Sequence, residues 1–524
     1  MSSTLALRGP RKRDQPVVTK ATSERAKKGI SKTTTSNVQS DNSKAYPKVP
    51  AGRKRKAAKA VEDAVEKPTR GQKRQKEDRA VSNLPPTQRL DIYVIGVNSY
   101  GELGLGDSTK KGEIRRPVLN PKLPAETVGV VHVAAGGAHS AALTYDNKIL
   151  TWGINDEGTL GRDTKEAKKD TDMKEADAAE ESESDEDDDE VDLNSKEATP
   201  IPIDPSHFPN GTIFTQIVAT DSATFVLTKE GLVYGWGSFR KSTGTMGFSP
   251  DTKIQRTPVP ITALKNVVKL AAGAQHVLAL TANGTVFSWG CDEQNQLGRT
   301  RSLRRVHEPH LVPEQCALPT GITELGAGLY HSFAIHKSGD VYAWGSNNFG
   351  QTGILSGAGG SDADVTYPTK VKNLRKSDKI ISISGGKDHS IAITDKGQCL
   401  TWGRVDNKAL GLDMSKIASS DIIVDSRGRP RISCVPAPIP GIDGEVTFAT
   451  AGTDHSFAIT KDGKAYSWGF NVHGQAGQPG GEEIEIPTLL MNKHLNGKKL
   501  VSAAAGGQFS ILAGDAASFE SLAK

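Results

Sequence analysis

The sequence predicts an all-β fold: a seven-bladed β-propeller closed by pairing N-terminal with C-terminal strands, and preceded by a disordered basic N-terminal arm. Three observations predict it. All six tryptophans (Trp152, Trp236, Trp289, Trp344, Trp402 and Trp468) precede a glycine, and neighbours stand 53 to 66 residues apart, except across an acidic stretch between the first two. Thirteen residues before five of them stands a histidine: His139, His276, His331, His389 or His455. Each end of the chain carries half of one further unit.

Each unit reads as a short strand of the type Ala-Gly-x-x-His-Ser-x-Ala-Ile, a tight turn, and a second strand ending in Trp-Gly. The turn is marked five residues before each Trp by Asn147, Gly231, Gly284, Gly339, Gly397 or Gly463, the residue types that tolerate a positive φ. The strands alternate small or apolar residues with polar ones, as half-buried strands do. One hairpin cannot bury its faces alone, and units of about 50 residues with short strands stack around an axis as propeller blades. Nine residues after Trp, Gly161, Gly298, Gly353, Gly411 or Gly477 closes a turn such as Gln296-Leu297-Gly298. First strands begin near residues 134, 218, 271, 326, 384, 450 and 504, which makes seven. The last, Ala504-Ala505-Gly506-Gly507, has no Trp-Gly after it, while Ile95-Gly96, with Gly104 at the usual offset, has no first strand before it. Joining the two halves completes a blade and removes the exposed sheet edges of an open array.

The rest of the chain divides by charge. The net +5 conceals an arm, residues 1–83, with 22 Lys/Arg against 8 Asp/Glu, and an insert, residues 164–198, with 5 against 16. These carry +14 and −11. The arm has almost no aromatics and cannot bury enough apolar surface to offset its ordering entropy, so the expected organisation is a disordered arm 1–83 and a propeller 84–524 with a disordered acidic insert 164–198. Within the arm, Arg53-Lys54-Arg55-Lys56 and Lys73-Arg74 form a bipartite nuclear-import pattern, which implies an importin-type receptor and a nuclear location. The same charge suits DNA phosphates without reading sequence, and the tethered polyanion is expected to compete for the arm. The insert lacks the spacing of a calcium loop. No apolar run reaches the roughly 18 residues of a membrane span, and the basic, polar N-terminus lacks the apolar core of a secretory signal. The four cysteines lie far apart with no C-x-x-C. That speaks against a disulfide scaffold or a zinc site and for a reducing compartment.

Irregular positions point to function better than regular ones. In the unit of Trp236, the glycine and histidine positions hold Thr220 and Ala223, and Trp236 to Gly247 spans eleven residues where other units use nine. The extra length falls in Ser238, Phe239, Arg240, Lys241, Ser242, Thr243, Gly244, Thr245 and Met246, which predicts a β-turn protruding from one rim. A second irregularity, Arg299 to Arg305, holds four arginines, Arg299, Arg301, Arg304 and Arg305, whose forks suit carboxylates and phosphates. The recurrent His-Ser pairs are adjacent on a strand, so the two side chains point to opposite faces and do not make a nucleophile–base pair. Repetition in five blades marks them as a hydrogen-bonding device of the blade core. No phosphate-binding loop, dinucleotide fingerprint or paired-carboxylate pattern stands out, so the chain reads as a binding platform.

The Trp-Gly and Gln-Leu-Gly repeat resembles the regulator of chromosome condensation family over residues from about 90 to 514. Three longer strings, Asn155–Thr164, Trp236–Arg240 and Cys291–Arg299, are similar to its chromatin-bound members that exchange guanine nucleotide on the small GTPase Ran. The resemblance implies a monomeric exchange factor, without cofactor or covalent chemistry, that promotes GDP release on chromatin and supports nucleocytoplasmic transport and spindle or nuclear assembly. It also implies three contact regions. Ser238–Met246 corresponds to a wedge inserted beside the GTPase's phosphate-binding loop. His139, Asp221, Gln275 and Asp388 fall on the GTPase-facing rim, with Asp454 as a neighbour able to substitute. Arg301, Arg304 and Arg305 correspond to a loop that docks on nucleosomal histones, while the arm contacts DNA. Two positions depart from the family, which carries Asp at Gln275 and His at Asp388. The alternatives are a chromatin-binding scaffold with no GTPase and, further off, a propeller hydrolase.

Overall fold

The computed structural model describes residues 82–107, 109, 111–165, 193–299, 309–361, 363–374 and 378–516. The arm's import-signal residues Arg53, Lys54, Arg55, Lys56, Lys73 and Arg74, the histone-loop residues Arg301, Arg304 and Arg305, and most of the acidic insert lie outside them.

Seven antiparallel sheets form seven blades, numbered here by first strand. Blade I comprises Val130–Ala135, His139–Thr144, Ile149–Gly153 and Ile201–Pro202. Blade II comprises Phe214–Ala219, Ala223–Thr228, Val233–Gly237 and Gln255–Pro260. Blade III begins with Val267–Ala272 and His276–Thr281, and blades IV to VI follow over residues 322–370, 380–438 and 446–489. In blade VII, Leu500–Ala505 and Phe509–Asp515 pair with Leu90–Val97 and Glu113–Leu119, with Gly96 opposite Phe509 and Leu90 opposite Asp515. The ring therefore closes as the two half-units predict. Blade V gains a fifth strand, Ile422–Val424, which pairs with Pro430–Pro438 outside the repeat. First strands line a central channel of about 350 Å³ walled by small residues such as Ala134, Ala272, Ala327 and Ala504.

Blades lock to one another through the repeated residues. The turn of one blade presents a single carbonyl to two donors of the next. Gln296 O accepts from Ser332 Oγ at 2.9 Å and from Trp344 Nε1 at 2.8 Å; Gln351 O accepts from Ser390 Oγ and Trp402 Nε1 at 2.7 and 2.9 Å. From its other side the hydroxyl meets the histidine of the preceding blade: His276–Ser332 and His331–Ser390 at 2.8 Å, His389–Ser456 at 2.9 Å, His455–Ser510 at 2.8 Å and His139–Thr224 at 2.9 Å. Each hydroxyl gives its one proton to the carbonyl, so the histidine donates from Nε2 and is the neutral Nε2–H tautomer. The expected hydrogen-bonding device is present, but it joins neighbouring blades rather than serving one blade's interior. The glycine nine residues after Trp is required here. At Gly298, φ is +59° and a Cβ would lie 2.6 Å from the indole nitrogen of Trp344.

One turn carries a carboxyl where three of its counterparts carry an amide. Gln296, Gln351 and Gln475 accept through Oε1 from the backbone N–H two residues earlier, at 2.8, 2.8 and 3.0 Å. Glu102 occupies that place in blade VII, accepts from Tyr100 N at 2.7 Å and is 2% exposed. Burial raises its carboxyl pKa against the lowering effect of these backbone bonds, so ionisation at neutral pH costs stability. Glu102→Gln keeps the shape and the accepted bond, and it is expected to stabilise the chain by roughly 1–2 kcal/mol at pH 7. A urea titration should show a higher midpoint, with the gain vanishing near pH 4.

Candidate functional site: a braced hairpin on one rim

Beyond Trp236-Gly237 the chain leaves blade II and pairs Phe239–Lys241 with Gly244–Gly247, Phe239 opposite Gly247 and Lys241 opposite Gly244. Ser242 and Thr243 form the exposed tip, and Gly244 takes φ +119°. The protrusion predicted from the broken spacing is there. Its base differs from the expectation. Ser238 and Phe239 are fully buried and Met246 is half-buried, so the projecting surface is Arg240 to Thr245.

The broken repeat and the hairpin are one structural event. Phe239 stacks on Phe225 at 5.9 Å, and Phe225 meets Trp289 edge-on at 5.5 Å. Val277 stands where the other blades carry the receiving hydroxyl, and Ala223 stands where five blades carry the histidine. An aromatic cluster therefore replaces the polar lock between blades II and III, which frees the segment after Trp236 from the tight turn and lets it project.

Side chains from the two neighbouring blades, I and III, hold the hairpin. Glu157, from the loop after Trp152, accepts from Ser238 Oγ at 2.6 Å and Thr245 Oγ1 at 2.9 Å, with Arg240 Nη1 at 3.6 Å. Glu293, from the loop after Trp289, accepts from Ser242 N at 2.8 Å and Ser242 Oγ at 2.6 Å. These bonds hold the Glu293 carboxyl below its usual pKa. Gln275 Oε1 accepts from Arg240 N at 2.7 Å. Beneath the hairpin lies a cleft of about 540 Å³, lined among others by Asp221, Arg240, Gln275, Glu293 and Tyr330.

Of the rim residues, Asp221 and Gln275 join this cleft. Asp388, 8% exposed, pairs with Arg404 at 3.2 Å, and Arg404 also holds Asp406 at 3.0 Å. Burial raises the Asp388 pKa, with Arg404 opposing. Asp454 is half-buried at the equivalent place in blade VI. His139 does not reach the rim. It is fully buried, its ring committed to Thr224, because the first residue of a second strand points into the blade junction. Among the described residues, no cluster of three or more His, Cys, Asp or Glu is arranged to hold a metal. At the acidic insert, the residues on either side are tied together: Asn194 Nδ2 donates to Thr164 O at 3.1 Å, and Thr164 Oγ1 donates to Glu197 at 2.6 Å.

Asp221 carries the clearest electrostatic signal. Desolvation pushes its pKa up to about 6, with Gln275 and Arg240 pulling it down. The residue keeps exposed surface, so water screens part of this cost. A carboxyl raised in the folded state binds its proton there before the unfolded chain does, so stability falls as pH rises from about 4 to about 6. Asp221→Asn is expected to raise Tm at pH 7, to flatten that part of the pH–stability curve and to weaken activity at this rim, the pattern of a strained functional residue. Calorimetry at pH 4, 5, 6 and 7 checks the first two, and wild-type behaviour at all four would contradict the assignment.

Residues 91–512 match the RCC1-like domain family. The chain belongs to this family. Protein pim1 of Schizosaccharomyces pombe is 37% identical over 441 residues, covering 83% of this chain and 77% of that protein. Guanine nucleotide exchange factor SRM1 of Saccharomyces cerevisiae is 36% identical over 436 residues, covering 82% and 88%. The crystal structure of Prp20p from Saccharomyces cerevisiae, described with its binding to Gsp1p and histones, superposes with a TM-score of 0.73 at 32% identity, covering 84% and 94%. In this RCC1-like chain, sequence reading missed Glu157, Glu293 and Arg404. Glu157 and Glu293 sit in the strings that carry the resemblance, but nothing in their spacing relates them to a hairpin 80 or 50 residues away.

Proposed function

We propose that this RCC1-like chain is a guanine-nucleotide exchange factor for a Ran-type small GTPase, with Arg240–Thr245 as the wedge and Asp221, Gln275, Asp388 and Asp454 as the surrounding rim. The observation that carries the reading is the hairpin, rigidly held and polar-tipped, in a chain 36% identical to a relative named as an exchange factor. Exchange makes and breaks no covalent bond. A partner that binds the nucleotide-free GTPase more tightly than the nucleotide-bound form lowers nucleotide affinity by the same factor. A preformed wedge supplies that difference if it occupies space the phosphate-binding elements need. The more abundant nucleotide then reloads, so direction comes from the cell's nucleotide pool.

The remaining partners follow the same relatives. Prp20p is described with its binding to histones, and yeast RCC1 (Prp20) has been crystallised with Kap60. We assign Arg301, Arg304 and Arg305 to histone contact, the +14 arm to DNA, and Arg53–Lys56 with Lys73-Arg74 to an import receptor of the Kap60 kind, which places the protein on nuclear chromatin. The deciding experiment measures release of fluorescent GDP from purified Ran-type GTPase at substoichiometric amounts of this chain. Multiple turnovers support the reading. Binding to nucleosomes with no acceleration of release would favour the scaffold alternative and refute this one.

A further inference from the structure

The loop after each Trp-Gly has its own business within a blade, yet two of these loops send a carboxylate sideways to the hairpin of blade II. We infer that Glu157 and Glu293 are positioning residues for exchange: they hold the wedge in its working shape before the GTPase arrives. The inference rests on the exchange-factor reading and concerns how that same site works.

The two contacts divide the hairpin between them. Glu157, with its side chain 14% exposed, grips the base from blade I and ties the two strands together, one hydroxyl from each: Ser238 Oγ at 2.6 Å and Thr245 Oγ1 at 2.9 Å. Glu293, exposed on blade III, grips the tip through both the backbone N–H and the hydroxyl of Ser242, at 2.8 and 2.6 Å. Between the grips, the hairpin's own ladder is only three residue pairs long, with a register break after Phe239. A two-stranded ribbon that short does not hold its shape in water. Charge-assisted bonds to a carboxylate are the stronger class of hydrogen bond, and here they come from a rigid ring on both sides. Without them the tip must be ordered during the encounter, and that cost reduces the share of binding available to expel nucleotide. Arg240 and Lys241 are the charged side chains of the projecting strand, and the same carboxylates lie beside them: Arg240 Nη1 stands 3.6 Å from Glu157, and Lys241 adds to the field that lowers the Glu293 pKa.

A brace acts through hydrogen bonds, whereas a carboxylate that touches the GTPase acts through charge, and the two roles separate by substitution. In Glu157→Gln and Glu293→Gln, the amide oxygen still accepts and the amide nitrogen donates to a serine or threonine oxygen, so bracing survives without charge. Alanine removes both. Full-length chains carrying E157A with E293A should show a kcat for GDP release lower by about 10- to 100-fold, little change in KM, and Tm within a few degrees, since both contacts lie outside the blade ladders. The E157Q/E293Q chain should stay within about threefold of wild type. Hydrogen–deuterium exchange on the free protein, over a peptide covering residues 238–247, should accelerate in the alanine chain and not in the glutamine chain. Ser238→Ala with Thr245→Ala, which removes the Glu157 bonds from the other side, should reproduce the kcat loss. Wild-type kcat in the alanine chain overturns the inference, as does glutamine behaving like alanine, which would make the carboxylates direct charge contacts. If the wild-type chain itself fails to accelerate GDP release, the exchange-factor reading falls, while the exchange data on the free hairpin still report whether the brace exists.

Discussion

Replacing Arg240–Thr245 by a two-residue Asn-Gly turn is expected to slow GDP release by about 100-fold, within the range of typical coupling energies between sites, while leaving Tm within about 3 °C of the parent. The design follows the burial. Phe239 is fully buried between Phe225 and the next blade, and Met246 packs against the same cluster. Excising all of Ser238–Met246 would empty that joint and cost about 3–5 kcal/mol, as large aromatic truncations do, and lost activity would then mean only lost structure. Keeping Phe239, Met246 and Gly247 leaves the aromatic lock between blades II and III intact. The Asn-Gly pair supplies the positive φ angles that a two-residue hairpin requires. Stopped-flow release of labelled GDP, with circular dichroism on the same sample, checks both halves of the expectation. A folded variant that releases GDP at the parental rate would remove the hairpin from the mechanism.

What the sequence disclosed and what it hid follow from where each bond goes. The tryptophan of six blades, and in five of them the glycine nine residues after it and the histidine thirteen before it, serve packing that recurs around the ring, so they repeat and can be read. The hairpin was legible for the opposite reason: Ala223 and the two extra residues after Trp236 interrupt the period. Contacts between blades were not legible. His331 bonds to Ser390 and Glu157 to Ser238, and no local spacing links residues so far apart until the ring has closed. His139 misled because it is the repeat histidine itself, one residue past the place that Gln275 and Asp388 occupy, and its side chain turns into the junction. The fifth strand of blade V lies outside the repeat, yet Ile422-Ile423-Val424 before Asp425-Ser426-Arg427-Gly428 has the β-branched run and turn residues of a hairpin. That signal is local and independent of the repeat.

The same locks predict a steep acid transition. His139, His276, His331, His389 and His455 are at most 1% exposed. Burial lowers their pKa to about 4, 3, 3, 4 and 3. In the unfolded chain each returns to about 6.5. Below that pH the unfolded chain binds up to five protons at these lock histidines that the folded chain refuses, so their contribution to stability is complete above about pH 6.5 and falls as pH drops towards the folded values; His132, lowered by burial to about 4, acts in the same direction. The slope is about 1.4 kcal/mol per pH unit for each proton, hence roughly 7 kcal/mol per unit at most. Glu102, Asp221 and Asp388 act in the other direction. Their raised pKa values mean that the folded chain takes their protons first, and this offsets part of the loss, for Asp221 from about pH 6 downwards. Several histidines against three carboxylates leaves a net loss, and a domain of ordinary stability, about 5–15 kcal/mol, should unfold cooperatively between about pH 4 and 5.5. Tryptophan fluorescence is the natural probe, because all six indoles are buried at these junctions. The slope of Tm against pH gives the proton count, expected to be two or more near pH 5. His276→Gln, which can still donate to Ser332 but does not titrate, should lower the count by about one. A chain that stays folded to pH 3, or a His276→Gln variant with an unchanged count, would mean that the buried histidines do not control acid stability.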